Sequence, residues 1–244
     1  MAINTRIKRT GIIPGAGSLA LPGHRLCPKY AFVFREGVRD LVSQVQAPTT
    51  AATPGSILFS PTSARGIPGT AREHSATTDR TDLGLDTLLL PTGPVTIVLG
   101  WQKTDATNRN AATFGDMGAA AGNCADAYVP FSDGVVYFDW GGQTNGVTRV
   151  QVGSLTIGDD VWVFTVGARE MAIYQNGISR VSSAINPTRT QATAQWALGD
   201  RGAGSDVSSD LGKYKFVFIY HYQLRVEDII EISHRPFCWT LAGR

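Results

Sequence analysis

Five glutamates (Glu36, Glu73, Glu170, Glu227 and Glu231), four histidines and three cysteines are the side chains from which most chemistry would have to be assembled. Glycoside hydrolysis needs two carboxyl groups flanking one bond. Glu227, Asp228 and Glu231 are grouped, but they fall in "VEDIIEISHR", whose apolar spacing is helical, and acids in a first turn complement the helix dipole. His24, His74, His221 and His234 are scattered without metal-ligand spacing, and no serine sits in a nucleophile elbow. Cys27, Cys124 and Cys238 are odd in number and lack a Cys-x-x-Cys pair, which argues against a disulfide framework and a zinc site. "GAGSLA" (residues 15–20) imitates a dinucleotide-binding turn, but no strand leads into it and no acid follows about 20 residues on. One oxygen-rich loop stands out, "GDRGAGSDVSSD" (residues 199–210), with Asp200, Asp206 and Asp210. Its expected reading is a polar turn capped by Asp and Ser, with calcium as the alternative that its oxygens would suit. No cofactor is expected, and no catalytic residue is assigned: the chain reads as a binding protein, not an enzyme.

The aromatics offer a second kind of chemistry, stacking against sugar rings. Trp101, Tyr137, Trp140, Trp162, Trp196, Tyr214, Phe216, Phe218, Tyr220 and Tyr222 all fall in predicted strands or at their ends. In "YKFVFIYHY" every even-numbered position from Tyr214 to Tyr222 is aromatic, so one face of that strand is expected to be an aromatic ladder. A sandwich has inner faces to fill, and aromatics fill them with most area, so core packing is the expected role of most of these rings.

These side chains must be positioned by strands. Charged residues make up 17% of the 244 residues, below the usual ~25%, and there are 27 glycines, a composition of short strands and many turns. Strands are predicted over residues 29–37, 94–103, 134–142, 150–157, 160–167, 194–200 and 211–224, with an apolar island at 57–59 as an edge strand between prolines. "EMAIYQNGISRV" is a hairpin, because Asn176-Gly177 supplies the two positive-φ residues that a tight turn requires. Residues 47–80 and 104–127 read as loop and polar excursion. The single helix has Val226, Ile229 and Ile230 as its apolar face and stops at Pro236. The whole predicts an all-β fold, a two-sheet antiparallel sandwich with one short C-terminal helix.

Residues 1–23 read as an extended basic N-terminal arm, and residues 24–244 as one domain. Arg6, Lys8, Arg9, Arg25 and Lys29 give the first 29 residues a charge of +5 with no acid, leaving 17 of the 22 basic residues against 20 acids elsewhere. Such an arm is an interaction tail. Arg6, Lys8, Arg9, Ile12, Ile13 and Arg25 are its candidate partner-binding residues. Three clustered charges neutralise few phosphates, so an acidic protein surface fits better than nucleic acid. No apolar run approaches the ~18 residues of a membrane span, and no secretory apolar core is visible near the first residues, so neither a membrane partner nor a signal peptide is expected.

The order of features resembles the concanavalin A-like, laminin-G-like jelly-roll domains found in tailed-phage virion proteins. The resemblance is carried by "FVFREGVRDLVSQ", "VTIVLGWQK", "VWVFTVGAREMAIYQNGISRVSSA" and "GKYKFVFIYHYQLRVEDIIEISHRPFCW". Arg235-Pro236-Phe237 stands where Asn-Pro-Trp is usual. The resemblance implies a jelly roll and a virion location, with capsid decoration or tail association as the role, phage structural proteins as partners, and homo-oligomeric or lattice-bound copies. Some relatives on this fold are glycosidases with a Glu-x-Asp-x-(x)-Glu strand, which this chain lacks. The alternative is a lectin-like carbohydrate-binding module. Removing residues 2–22 is expected to abolish particle binding while leaving the melting temperature nearly unchanged; loss of folding would place the arm in the core.

Overall fold

The strand "DDVWVFTV" is apolar on both faces, so it needs cover from both sides. In the computed structural model it receives that cover. The structure describes residues 26–33, 57–60, 69–75, 79–86, 93–116, 123–185, 187–189, 195–199 and 211–238. Arg6, Lys8, Arg9, Ile12, Ile13 and Arg25, and the calcium candidates Asp200, Asp206 and Asp210, lie outside the described residues.

Among the described residues are β1 (Tyr30–Val33), β2 (Ile57–Ser60), β3 (Gly69–His74), β4 (Arg80–Asp86), β5 (Val95–Lys103), β6 (Phe114–Asp116), β7 (Ala125–Tyr128), β8 (Val136–Trp140), β9 (Arg149–Val152), β10 (Asp159–Val166), β11 (Met171–Gln175), β12 (Ile178–Ser183), β13 (Gln195–Gly199), β14 (Gly212–Tyr220) and α1 (Val226–His234). They form two antiparallel sheets. The larger runs β12-β11-β10-β5-β14-β3-β2, with β1 also on β14, and the smaller runs β4-β13-β6-β7-β8-β9. The predicted two-sheet sandwich with one short helix is the observed fold.

Trp162, Phe164 and Val166 of β10 point between the sheets, where they meet Phe114, Phe138, Trp140 and Trp196 of the smaller sheet. Val161 and Val163 point the other way, into a second core with Ala172, Tyr174, Phe218 and Tyr220. That outer core is covered by Ile229 and Ile232 of α1, by Leu26, and by Cys238. The helix faces differ from the sequence expectation. Ile229 and Ile232 are buried, whereas Val226 and Ile230 are 51% and 44% exposed. A helix of this length rotates to bury the pair that meets the sheet.

The aromatic ladder of β14 is also divided. A bulge between Tyr214 and Phe216 shifts the register against β5. Tyr214 turns into the inter-sheet core while Phe216, Phe218 and Tyr220 face the helix. Lys215 lies in the bulge, only 4% exposed, with its ammonium on both Asp159 oxygens at 2.5 Å. Burial lowers its pKa, and the Asp159 partner opposes that without reversing it. The same point is where the partner of β14 changes: Gly212–Tyr214 pair with β3, and Phe216–Ile219 with β1.

The excursion at residues 104–127 contains β6 and the start of β7, and β3 lies within residues 47–80, where the sequence suggested loop; β4 follows where no strand was predicted. These strands are short or rich in Gly, Ala, Thr and Asp, which hides the alternation. The predicted hairpin is present, with Asn176 at φ 57° and Gly177 at φ 81°. Asn176 accepts from Val161 N–H at 2.9 Å and donates to Asp160 at 2.5 Å, tying the turn to β10. A side chain at Gly177 would sit 3.3 Å from Ile230 Cα. Gly177→Val is therefore expected to cost about 2 kcal/mol through the left-handed backbone. At this chain length that is a fall in Tm of about 4–8 °C, checked by thermal melting followed by circular dichroism.

Candidate functional site

Where one face of a strand feeds a core, the alternate residues must face away from it. On the smaller sheet, Ala125 and Ala127 of β7, Phe138 and Trp140 of β8, and Val150 of β9 face inward. Asp126 and Tyr128 of β7, Tyr137 and Asp139 of β8, and Arg149 and Gln151 of β9 therefore share the outer face. Cross-strand register places Asp126 opposite Asp139, Tyr128 opposite Tyr137, and Asp139 opposite Arg149. Unlike the outer face of the larger sheet, this one carries no apolar core among the described residues.

The centre of this face is a buried acidic floor. Asp126 and Asp139 are each 0% exposed. Arg149 closes over Asp139 in a two-pronged pair, Nε to Oδ1 at 2.6 Å and Nη2 to Oδ2 at 2.6 Å. Burial opposes the charge of Arg149, but the Asp139 pair outweighs it and raises the Arg149 pKa. The Tyr128 hydroxyl donates to Asp126 Oδ2 at 3.2 Å and accepts from Gln143 Nε2 at 3.3 Å. Gly115 lies opposite Asp126, and a Cβ there would meet the Asp126 carboxylate, so any larger residue would push that carboxylate from its place.

An aromatic rim borders the floor. Tyr128, Phe131 and Tyr137 meet edge to face, with ring centroids 5.2 to 6.3 Å apart. The Arg149 guanidinium lies 4.4 Å over the Tyr137 ring. Phe131 and Tyr137 are half-buried. The Tyr137 hydroxyl donates to Asp133 Oδ2 at 2.6 Å, and Asp133 Oδ1 accepts from Val135 N–H at 2.9 Å. Slight burial works against the Asp133 charge, but these two hydrogen bonds hold its pKa below the ordinary 3.8. The bond to Asp133, then burial, raises the Tyr137 pKa above 10.0.

Cys124 Sγ and carboxylate oxygens of Asp126 and Asp139 lie within 4.8 Å of one another, the one such grouping of metal-ligating types among the described residues. The set fits calcium poorly: calcium takes six to eight oxygens, whereas this one includes a thiol and a carboxylate already held by Arg149.

The sequence singled out other acids. Glu227, Asp228 and Glu231 lie on α1, and Asp228 pairs with Arg225 at 3.1 Å. His74 is buried against Thr81 and Tyr214, and His221 lies edge-on to Tyr30, so the described histidines do not converge. Trp101, Trp140, Trp162 and Trp196 are fully buried between the sheets. Of the ten aromatics considered for stacking, Tyr137 alone belongs to the outer face of the smaller sheet, and Phe131 was not among them. The missed signal is an aspartate in mid-strand, "ADAY" and "VYFDW", where a buried strand would otherwise be apolar.

No protein-family model matches the chain, and no curated protein matches its sequence. Solved structures do share the fold. Domain 4 of AbnA, a GH43 extracellular arabinanase from Geobacillus stearothermophilus, in complex with arabinotriose, is 16% identical with a TM-score of 0.61, covering 84% of this chain and 98% of that one. The CBM40 of Ruminococcus gnavus IT-sialidase bound to alpha2,3 sialyllactose is 15% identical with a TM-score of 0.50, covering 67% of this chain and 95% of that one. Trypanosoma rangeli sialidase is 12% identical with a TM-score of 0.54, covering 93% of this chain and 34% of that chain. At these identities the likeness is one of fold, a jelly-roll β-sandwich.

Arg149→Met strands a fully buried carboxylate and is expected to destabilise the fold by about 3 kcal/mol, read from urea unfolding. The Asp133–Tyr137 bond has two pH limits. Asp133, with a lowered pKa, contributes stability that is complete above pH 3.8 and lost as pH falls through its folded value. Tyr137, with a raised pKa, contributes stability that is complete below pH 10.0 and lost as pH rises through its folded value. Asp133→Asn is expected to move the Tyr137 titration down toward 10.0, measured as the phenolate absorbance that Tyr137→Phe removes.

Proposed function

We propose that this chain is a non-catalytic glycan-binding module whose binding surface is the outer face of the smaller sheet. The observation that carries the reading is the rim of Phe131 and Tyr137 with Arg149 and Gln143 over a buried carboxylate floor. Half-buried rings offer apolar faces to the C–H side of a sugar ring, and the polar groups between them match hydroxyls. The larger sheet offers no comparable surface among the described residues, since α1 and its neighbours cover its outer face. The fold shared with a domain solved with arabinotriose and with a module solved with sialyllactose supports the same reading.

Binding without hydrolysis follows from the state of the acids. A glycosidase needs two carboxyl groups in contact with the bond to be cut. Asp126 and Asp139 are buried, and both oxygens of Asp139 are held by Arg149. They set the rim residues in place and do not reach a sugar.

A virion location, with the basic arm seated on capsid or tail proteins, is a separate proposal that rests on the sequence resemblance alone. The described residues favour the glycan reading over it.

A glycan array with the purified chain tests the proposal. Saturable binding is expected, weakened at least tenfold by Tyr137→Ala or Phe131→Ala and unchanged by Tyr222→Ala, an exposed aromatic just beyond β14 of the other sheet. Binding to no glycan, or loss only on Tyr222→Ala, would overturn it.

A further inference from the structure

Two carbohydrate complexes that share this fold hold an uncharged sugar, arabinotriose, and an acidic one, sialyllactose. The charges around the Tyr137 rim distinguish these classes for this chain. We infer that the site takes uncharged glycans and disfavours sialylated or uronic ones, with Asp133 and the Asp139–Arg149 pair as the specificity determinants. The inference rests on the glycan-binding reading above.

A sugar carboxylate is recognised best by a guanidinium that presents both prongs. Arg149 is the cation stacked on the rim, and its Nε and Nη2 already hold Asp139. Turning that fork to a ligand would leave Asp139, 0% exposed, without its counter-ion. The loss would be on the order of a hundredfold in affinity. The remaining guanidinium N–H groups of Arg149 can donate singly, which suits a hydroxyl.

Among the described side chains, the other cations near this face are also engaged. The Asn108 side chain lies beside Gly134, which brings the 104–113 segment to this end of the rim. There Lys103 and Arg109 both pair with Asp105, at 3.0 and 2.5 Å. Arg189 is only 6% exposed, its guanidinium over the indoles of Trp140 and Trp196 and donating to Asn123 O.

Asp133 supplies the repulsive element. It is exposed, and its hydrogen bonds to Tyr137 and Val135 favour the charged form. A fixed negative charge beside the stacking ring repels an anionic sugar, yet its oxygens accept hydroxyl protons from a neutral one. Selection therefore combines an occupied cation with an exposed anion.

The test is an array of matched neutral and sialylated or uronic glycans, followed by calorimetry on the best pair, with wild type, Asp133→Asn and Asp139→Asn. Wild type is expected to bind the neutral member at least tenfold more tightly. Asp133→Asn should narrow that ratio. Asp139→Asn, which frees the Arg149 fork while keeping the side-chain shape, should raise acidic-glycan affinity at least tenfold relative to neutral. Equal or tighter wild-type binding of the acidic member, or a ratio unchanged in both variants, overturns the inference while leaving glycan binding intact. Binding of neither class overturns the glycan reading along with it.

Discussion

The central strands of the larger sheet, β5, β10 and β14, are apolar on both faces, and this demand for double cover shapes the rest of the molecule. One face of β5, β10 and β14 is met by the smaller sheet. The other is met by Ile229 and Ile232 of α1, Leu26 and Cys238. Among the described residues, strands closed in this way leave no broad surface for recognition. The smaller sheet needs cover on its inner face only, so its outer side is released from the core and carries Asp126, Tyr128, Tyr137, Asp139 and Arg149 instead. Position and polarity of the candidate site both follow from where the apolar residues run out.

The Asp139–Arg149 pair adds little net stability for a charge pair that has left water, because desolvation offsets most of the Coulomb attraction. Its value lies in orientation. With Nε and Nη2 both committed, the guanidinium plane is fixed over the Tyr137 ring, and Tyr137 is fixed in turn by Asp133. Gly115 leaves room for Asp126 to complete the floor. A rim held this way changes little on meeting a ligand, which lowers the ordering cost of binding.

The sandwich was legible in the sequence because long apolar strands such as "VTIVLGWQK" and "DVWVFTV" have few other stable places, and because Asn176-Gly177 marks a turn in plain chemistry. The site was not. β6 and β7 are short, with Gly, Ala and Asp in place of branched residues, so the strand pairs that bring Asp126 beside Asp139 left no periodic trace. Proximity of residues 13 positions apart is a property of register, which sequence spacing does not encode. The same limit applies to Tyr214: a bulge reverses the face of every residue before it, and nothing in "KYKFVFIY" announces one. The apolar face of α1 was displaced by one helical position for a related reason, since two turns of helix carry too few residues to fix its rotation.

The placement of β14 has a bearing on how the chain acquires its shape during synthesis. The strand spans Gly212–Tyr220, yet it sits inside the larger sheet, between β5 on one side and β3 with β1 on the other. Until residue 220 has left the ribosome, β1 lacks its partner strand, and β3 and β5 lack the strand that joins them. Assembly by such distant pairings is intrinsically slow. The interval before the last strand arrives is when aggregation competes most strongly, and when a chaperone that shields open β-edges would have most effect.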